Sequence, residues 1–304
     1  MGKMIRVADM IGGIELNREV RLPAAPDMQL YLVADTALGI ETHCLMPLTR
    51  RCTMASDTLM TDITQSVALL VDPSLCGRAD IFDHDPVIYV TSGLRRFARQ
   101  LSRYGSGILA RDMVLPVTFD LSAFRQVAGD GWTANMIAES CRRLQAEVVT
   151  RLEDETKLTD VWDVLEREFQ PPTMNVARRF SLLSEYQVRR TADGGAEITM
   201  LLHRGLWNAA VSGTGLVPID NAYFNLADGL ERAVYQVAMK LRNGGKRAAT
   251  TLSWVRNLIG GDSRGLSGQI RRLATRGAIL DCQVEIVPKP GCRAADAIVF
   301  SAKE

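Results

Sequence analysis

The sequence predicts an α+β fold in which one order of helices and strands occurs twice after an N-terminal arm. Three observations predict it. Apolar residues recur at helical spacing in several segments, while shorter segments alternate apolar with polar residues as strands do. Glycine-rich turns end the elements in both halves of the chain. The length of 304 residues, with 47% hydrophobic and 23% charged residues, suits about two globular domains.

The N-terminal arm comprises residues 1–75. It has strand-like runs at 28–34 and 63–72, separated by proline, threonine and serine. We expect this arm to be ordered in part.

The first unit begins with a helix. Asp83 or Asp85 can cap this helix, and Pro86 suits its first turn. Its apolar residues lie on one stripe and its arginines lie off that stripe. The stripe is Val87, Val90, Leu94, Phe97, Ala98 and Leu101, and the arginines are Arg95, Arg96, Arg99 and Arg103.

A strand, two helices and a hairpin complete the first unit. The strand is predicted at 113–118 and the short helix at 121–127. Thr133 caps the longer helix, and Asp193-Gly194-Gly195 forms the hairpin turn. The stripe that the longer helix is predicted to bury is Ile137, Cys141, Leu144 and Val148.

An acidic stretch separates the longer helix from the hairpin. Its apolar residues have the spacing of a short helix, so we interpret 153–172 as an insertion. These apolar residues are Leu158, Trp162, Leu165 and Phe169.

The same order then recurs in the second unit. Asp228 or an adjacent residue starts a helix, a strand follows at 248–252, and Ser253 caps a short helix. Asp262 or Ser263 caps the next helix, and strands at 280–286 and 297–302 close the unit. Helix, strand, helix, turn, helix and a hairpin form the order of a winged helix. The sequence thus predicts two tandem winged-helix domains, at 76–212 and 213–304.

Arginines on the last helix of the second unit suggest contact with double-stranded DNA. In a helix-turn-helix the second paired helix enters the major groove. Leu266, Ile270 and Leu273 fall on one face of this helix, and no acid lies within 264–276. Ordinary surface helices mix charges of both signs, which argues against a merely solvated face. The candidate DNA contacts are Arg264, Arg271, Arg272 and Arg276, with Lys289 and Arg293 in the hairpin turn.

Gly265 and Gly268 lie in the same helix. They permit either a close approach of the backbone to the duplex or an irregular first turn, and the sequence leaves both interpretations open.

The first unit is less basic. Its longer helix has polar residues in the first turn and arginines further on, while Glu139 and Glu147 dilute the positive charge. We expect weaker DNA contact here, with a protein–protein role nearly as well supported. The candidate residues are Thr133, Asn135, Arg142 and Arg143 in the helix, and Arg178 and Arg179 at the hairpin.

Enzymatic and metal chemistry find no support in the sequence. The six cysteines form no CxxC pair and the three histidines lie far apart, so clustered zinc ligands are missing. No phosphate loop of the form GxxxxGK followed by Ser or Thr is present. We therefore expect no enzyme, no catalytic residue and no metal or other cofactor.

Charge and hydropathy indicate a cytoplasmic protein without a membrane partner. No apolar run approaches the roughly 18 residues of a membrane span. Charges spaced through the first 22 residues interrupt any signal-peptide core. The net charge of +1 leaves DNA binding open, because the distribution of charge decides it.

Several segments resemble a known family. They are Phe82-Asp83-His84-Asp85-Pro86-Val87-Ile88-Tyr89, Leu144-Gln145 with Val148-Val149, Arg179-Phe180-Ser181-Leu182, Asp220-Asn221-Ala222-Tyr223-Phe224 and Gly229-Leu230-Glu231-Arg232-Ala233-Val234-Tyr235. Together they resemble the plasmid replication initiator protein A family from about residue 82 to the C-terminus. The last segment is the most specific. Residues 1–60 carry no match.

The resemblance implies a replication initiator. Such proteins carry two winged helices, bind repeated double-stranded sites at the origin of a plasmid or similar mobile element, and help open the duplex for host replication proteins. The resemblance also implies a homodimer as one state, with repression of the protein's own promoter. It assigns DNA reading to 263–276 and 133–143.

Two other functions remain open from the sequence. A winged-helix transcriptional regulator would use the same two units, although the absence of a readable effector domain favours the initiator. A partner-binding protein that has lost DNA binding is the third alternative. The acid-free arginine face argues against it.

Overall fold

The computed structural model describes residues 19–33, 57–59, 67–72, 79–103, 114–146, 148–153, 175–243, 245–259, 265–288 and 296–303. The strands at 57–59, 67–72, 148–153 and 175–180 are described by their backbone.

Helices and strands alternate through most of this part of the chain. The helices are α1 (Asp85–Arg103), α2 (Leu121–Ala128), α3 (Ala134–Ala146), α4 (Arg204–Ser212), α5 (Gly229–Arg242), α6 (Leu252–Leu258) and α7 (Leu266–Thr275), with a 3-10 helix at Asn221–Asn225. The strands are β1 (Val20–Arg21), β2 (Leu30–Val33), β3 (Asp57–Leu59), β4 (Val67–Asp72), β5 (Val117–Asp120), β6 (Val148–Glu153), β7 (Asn175–Phe180), β8 (Leu183–Arg190), β9 (Ala196–Leu202), β10 (Leu216–Ile219), β11 (Arg247–Thr251), β12 (Ala278–Ile279), β13 (Cys282–Val287) and β14 (Ala297–Ala302). No described helix is both long and apolar enough to cross a membrane.

The first unit contains α1, β5, α2, α3, β8 and β9. Its sheet has the order β1-β5-β9-β8, in which β1 runs parallel to β5 and the other pairs are antiparallel. The turn between β8 and β9 contains Gly194 with a φ of +81°, a conformation that glycine adopts without strain. The short helix and the hairpin predicted for this unit are confirmed.

The second unit contains α5, β11, α6, α7, β13 and β14. Its sheet has the order β11-β14-β13-β12. In both units the strand after the first helix pairs with the last hairpin strand, which pairs in turn with the other hairpin strand. The predicted α+β class is confirmed, and one element order occurs in both units.

A third sheet, which we name the extension sheet, contains the two strands that lie between α3 and β8. It is antiparallel, with the order β3-β4-β6-β7, and so combines strands from the arm with strands on either side of the acidic stretch. The prediction that Val148 continues the stripe of α3 was wrong. Helix α3 ends at Ala146, and Val148 begins β6. The helix predicted within 153–172 lies almost wholly outside the described residues.

The core includes residues from the arm as well as from both units. Val20, Leu22, Leu30 and Leu32 are each at most 3% exposed and belong to the same apolar cluster as the helices. Strand β2 also pairs with β10, which precedes α5 of the second unit. Residues 19–33 therefore help hold the units together.

Side-chain caps fix where several helices begin. The Asp228 carboxylate accepts the Leu230 N–H at 2.8 Å and starts α5 as predicted. Helix α6 differs from the prediction, because the Thr251 hydroxyl, and not Ser253, accepts the Trp254 N–H at 3.2 Å. Helix α7 begins after Gly265, whose φ is +107°, while Asp262 and Ser263 lie outside the described residues.

Candidate nucleic-acid interface

Helix α7 presents one exposed polar face. Leu266, Ile270 and Leu273 are buried against the second unit, as predicted. The opposite face carries Gly268, Gln269 and Arg272, all exposed. A Cβ atom placed on Gly265 or Gly268 would meet nothing within 4 Å, so this face is open within the described structure.

The arginines predicted to contact DNA from α7 differ in whether they are paired with a carboxylate. Arg272 is exposed and makes no ion pair among the described residues. Arg271, by contrast, pairs with the buried Asp296, which precedes β14. Arg276 pairs with Glu231 of α5, although its side chain is 67% exposed. Residues 264–276 thus contain no acid, but carboxylates from other parts of the fold pair with two of their arginines.

Three predicted contacts fall outside the described residues. Arg264 precedes α7, and Lys289 and Arg293 lie between β13 and β14. These three positions stay predictions.

Helix α3 presents the corresponding face of the first unit. The Thr133 hydroxyl accepts the Met136 N–H at 3.2 Å and caps the helix, as predicted. Arg190, at the end of β8, donates to the Asn135 side-chain oxygen at 2.8 Å and so links the hairpin to the first turn of the helix. Arg142 is 47% exposed and pairs with Glu139.

Arg143 does not lie on this exposed face, which corrects its assignment as a DNA contact. It is 8% exposed, and its Nε donates to the Asp83 carboxylate at 2.7 Å. Ser140 donates to the same carboxylate at 2.8 Å. Burial would raise the pKa of Asp83, but the hydrogen bonds from Arg143, the Asp80 N–H and Ser140 hold that pKa below its ordinary value. Arg143 thus fixes α3 to the segment that precedes α1.

Arg178 and Arg179 also lie elsewhere than expected. They belong to β7 and pair with Arg151 and Thr150 of β6, in the extension sheet. The hairpin of the first unit is β8–β9, with Arg189 and Arg190 at the end of β8. The structure therefore places Arg178 and Arg179 outside the hairpin to which they were assigned.

Two side chains on the exposed faces were not predicted. Met136 is 47% exposed on α3, and it is one of two large exposed apolar residues in the described part, with Val287. Its position off the stripe of Ile137, Cys141 and Leu144 was a signal available in the sequence. Gln269 of α7 carried no comparable signal.

A buried ion pair joins the two units. Arg232 of α5 donates from Nη1 to both carboxylate oxygens of Asp85, at 2.7 and 2.6 Å. The side chains of Arg232 and Asp85 are 4% and 0% exposed. Burial raises the pKa of Asp85 to about 7, against the opposing attraction of Arg232.

The guanidinium of Arg232 has further partners besides Asp85. It donates to the carbonyls of Leu226 at 2.6 Å and Phe224 at 2.8 Å. It also lies over the ring of Phe82, 4.4 Å from the centroid. Asp83 and Asp85 therefore anchor α3 and α5, respectively, to neighbouring positions at the start of α1.

Comparison with known proteins gives the class of this molecule, a replication initiator. The family model described as Replication initiator protein A matches residues 40–259 of the 304-residue chain, and the chain belongs to that family.

Two further comparisons complete this finding. A crystal structure of SeMet derivatives of domain 2 and domain 3 of RctB is similar to this chain with a TM-score of 0.46 and 12% identity, over 85% of this chain and 95% of that chain. The search of curated proteins gave no match.

Proposed function

We propose that this chain is a sequence-specific double-stranded DNA-binding replication initiator that acts at repeated sites of a plasmid or similar origin. The observation that carries the proposal is the open face of α7, with Arg272 exposed on it, in a member of an initiator family. In this role the protein would bind DNA and host replication proteins without catalysing a reaction itself.

The shared sheet order supports two winged helices. In each unit a helix with an exposed face follows a shorter helix, and a hairpin comes later, after β6 and β7 in the first unit and after β12 in the second. In a winged helix the exposed helix enters the major groove and the hairpin contacts the flanking backbone. We infer that α7 and α3 are the two reading helices.

The two units would contribute unequally. Arg272 is available to a phosphate or a guanine edge, because no ion pair with a described residue has to break. On α3 the exposed arginine is already paired with Glu139. Met136 instead offers an apolar surface suited to the methyl group of thymine.

The test is the binding of a labelled duplex, taken from the DNA that flanks the gene, by fluorescence anisotropy. Affinity should fall linearly on a double-logarithmic plot as salt rises from about 50 to about 200 mM. Arg272→Gln should lower affinity by about 1–3 kcal/mol if Arg272 reads a base, or reduce the salt slope by about one if it contacts a phosphate. Arg247→Gln, an exposed arginine on β11, is the control of equal charge.

Two results would overturn the DNA-binding proposal. One is binding that is absent or insensitive to salt. The other is an Arg272→Gln variant that matches Arg247→Gln in affinity, salt slope and site preference.

Replication itself separates the initiator from the alternative, a winged-helix transcriptional regulator. The gene and its flanking DNA are placed on a plasmid that cannot otherwise replicate. An initiator supports replication of this plasmid, and Arg272→Gln impairs it more than Arg247→Gln does. DNA binding without replication would favour the regulator.

A further inference from the structure

A cavity of about 310 Å³ lies beside the second half of α1, between that helix and the segment that leads into β2. Arginines and glutamines dominate its lining, which includes Arg95, Arg96, Arg99, Gln29 and Gln100. The size is that of the smaller ligand sites in proteins, which begin at about 300 Å³. None of its lining residues belongs to α3, α7 or either hairpin.

Two of the arginines have no carboxylate partner among the described residues. Arg95 donates from Nη1 to the Val211 carbonyl at 3.0 Å, near the end of α4. A Cβ atom on Gly213 would overlap the guanidinium of Arg95, so that glycine leaves the space in which the guanidinium lies. The Arg99 guanidinium lies over the Tyr31 ring, 5.8 Å from the centroid.

The third arginine is only weakly neutralised. Arg96 donates to Asp27 at 3.0 Å, but the Asp27 side chain is 81% exposed and the pair is open to solvent. Burial and then repulsion from Arg99 lower the pKa of Arg95, which agrees with an excess of positive charge in the cavity. The cavity thus holds three arginines against one exposed carboxylate.

We propose that this cavity binds a phosphate group carried by a small phosphorylated molecule. Guanidinium groups present parallel N–H donors that match phosphate oxygens, and an oxyanion would relieve the repulsion between Arg95 and Arg99. The side-chain amide of Gln100, which is exposed at the rim, adds a neutral donor. A concave site that is lined by no residue of α3 or α7 favours a small ligand over the backbone of a bound duplex.

The cavity also lies next to the connection between the two units. Gln29 donates to the Ile219 carbonyl at 2.7 Å, at the end of β10. The Asn221 side chain accepts the Leu30 N–H at 3.3 Å. A ligand here would therefore contact Gln29, which is hydrogen-bonded to the strand that precedes α5.

The test is titration calorimetry of the full chain with pyrophosphate and with inorganic phosphate at constant ionic strength. We expect pyrophosphate to bind with a dissociation constant of about 1 mM or tighter. Arg99→Gln should weaken this binding at least about tenfold, which corresponds to the loss of a charge-assisted hydrogen bond. Arg247→Gln removes the same charge outside the cavity and should leave pyrophosphate binding unchanged.

A parallel measurement of duplex affinity distinguishes the two sources of phosphate. We expect Arg99→Gln and Arg247→Gln to bind the duplex equally well. Three outcomes would overturn the proposal: no pyrophosphate binding by the unmodified protein, equal pyrophosphate binding by both variants, or a selective loss of duplex affinity in Arg99→Gln. The last outcome would assign these arginines to the DNA backbone.

Discussion

Replacing Arg232 with methionine should destabilise the protein strongly, because the buried Asp85 carboxyl group and two backbone carbonyls lose their donor. The wild-type guanidinium makes two contacts to Asp85 and donates to the carbonyls of Leu226 and Phe224. Methionine fills a similar volume but donates nothing. Removing one member of a buried pair typically costs about 3–5 kcal/mol. That is a large share of the roughly 5–15 kcal/mol by which a native protein is stable.

The measurement is urea unfolding of the wild type, Arg232→Met, Asp85→Asn and the double variant. The double variant should lose less than the sum of the single variants, because no unpaired charge remains buried. Arg242→Met is the matched control on the same helix. Arg242 is only half-buried and its Nε donates to the Gly245 carbonyl, so this change should cost about 1 kcal/mol or less. The reasoning is refuted if Arg232→Met costs no more than Arg242→Met, or if the single effects add.

Three further predictions use the same unfolding and binding measurements. Arg143→Met should lower the free energy of unfolding by about 3 kcal/mol and Arg142→Met by less than about 0.5 kcal/mol, since only Arg143 is buried with its partner. Equal losses of stability in the two variants would contradict the burial of Arg143. Burial lowers the pKa of His84 from 6.5 to about 4, so the unfolded chain binds a proton before the folded protein does and stability falls as the pH drops through this range. The stability of the wild type relative to His84→Gln should therefore fall by about 2 kcal/mol from pH 6.5 to about 5. A constant difference between the two proteins would contradict this. Met136→Ala should leave stability nearly unchanged but weaken binding to a thymine-containing site by about 1 kcal/mol, and unchanged binding would remove α3 from the interface.

Local signals in the sequence located most of the described elements. Strand β14 was predicted at its observed bounds, because alternation and the preceding turn are properties of neighbouring residues. The start of α5 was also predictable, since Asp228 caps a backbone N–H only two residues away. The end of α3 was not, because Val148 and Val149 fit a helical stripe as well as a strand. The pairing of β6 with β4 decides between the two, and that contact is remote in sequence.

The candidate site was less predictable because its charges are paired over long distances. Arg143 stands next to Arg142 in the sequence and follows the same helical pattern, yet its partner Asp83 lies 60 residues away. Asp85 lies 147 residues from Arg232. The carboxylates that pair with Arg271 and Arg276 come from other elements. The sequence indicates which residues carry charge, whereas the fold determines which charges are left for a ligand.

The chain from β6 to β7 leaves the first unit and returns to it at a single point. Val149 of β6 and Phe180 of β7 are directly paired, and paired strands lie about 4.8 Å apart. The end of α3 and the beginning of β8 are therefore close enough for a short turn to join them. A chain shortened in this way could retain α3 and the β8–β9 hairpin while losing β6, β7 and the acidic stretch. The loss would fall on the arm instead, because β4 would have an open edge where β6 now pairs with it.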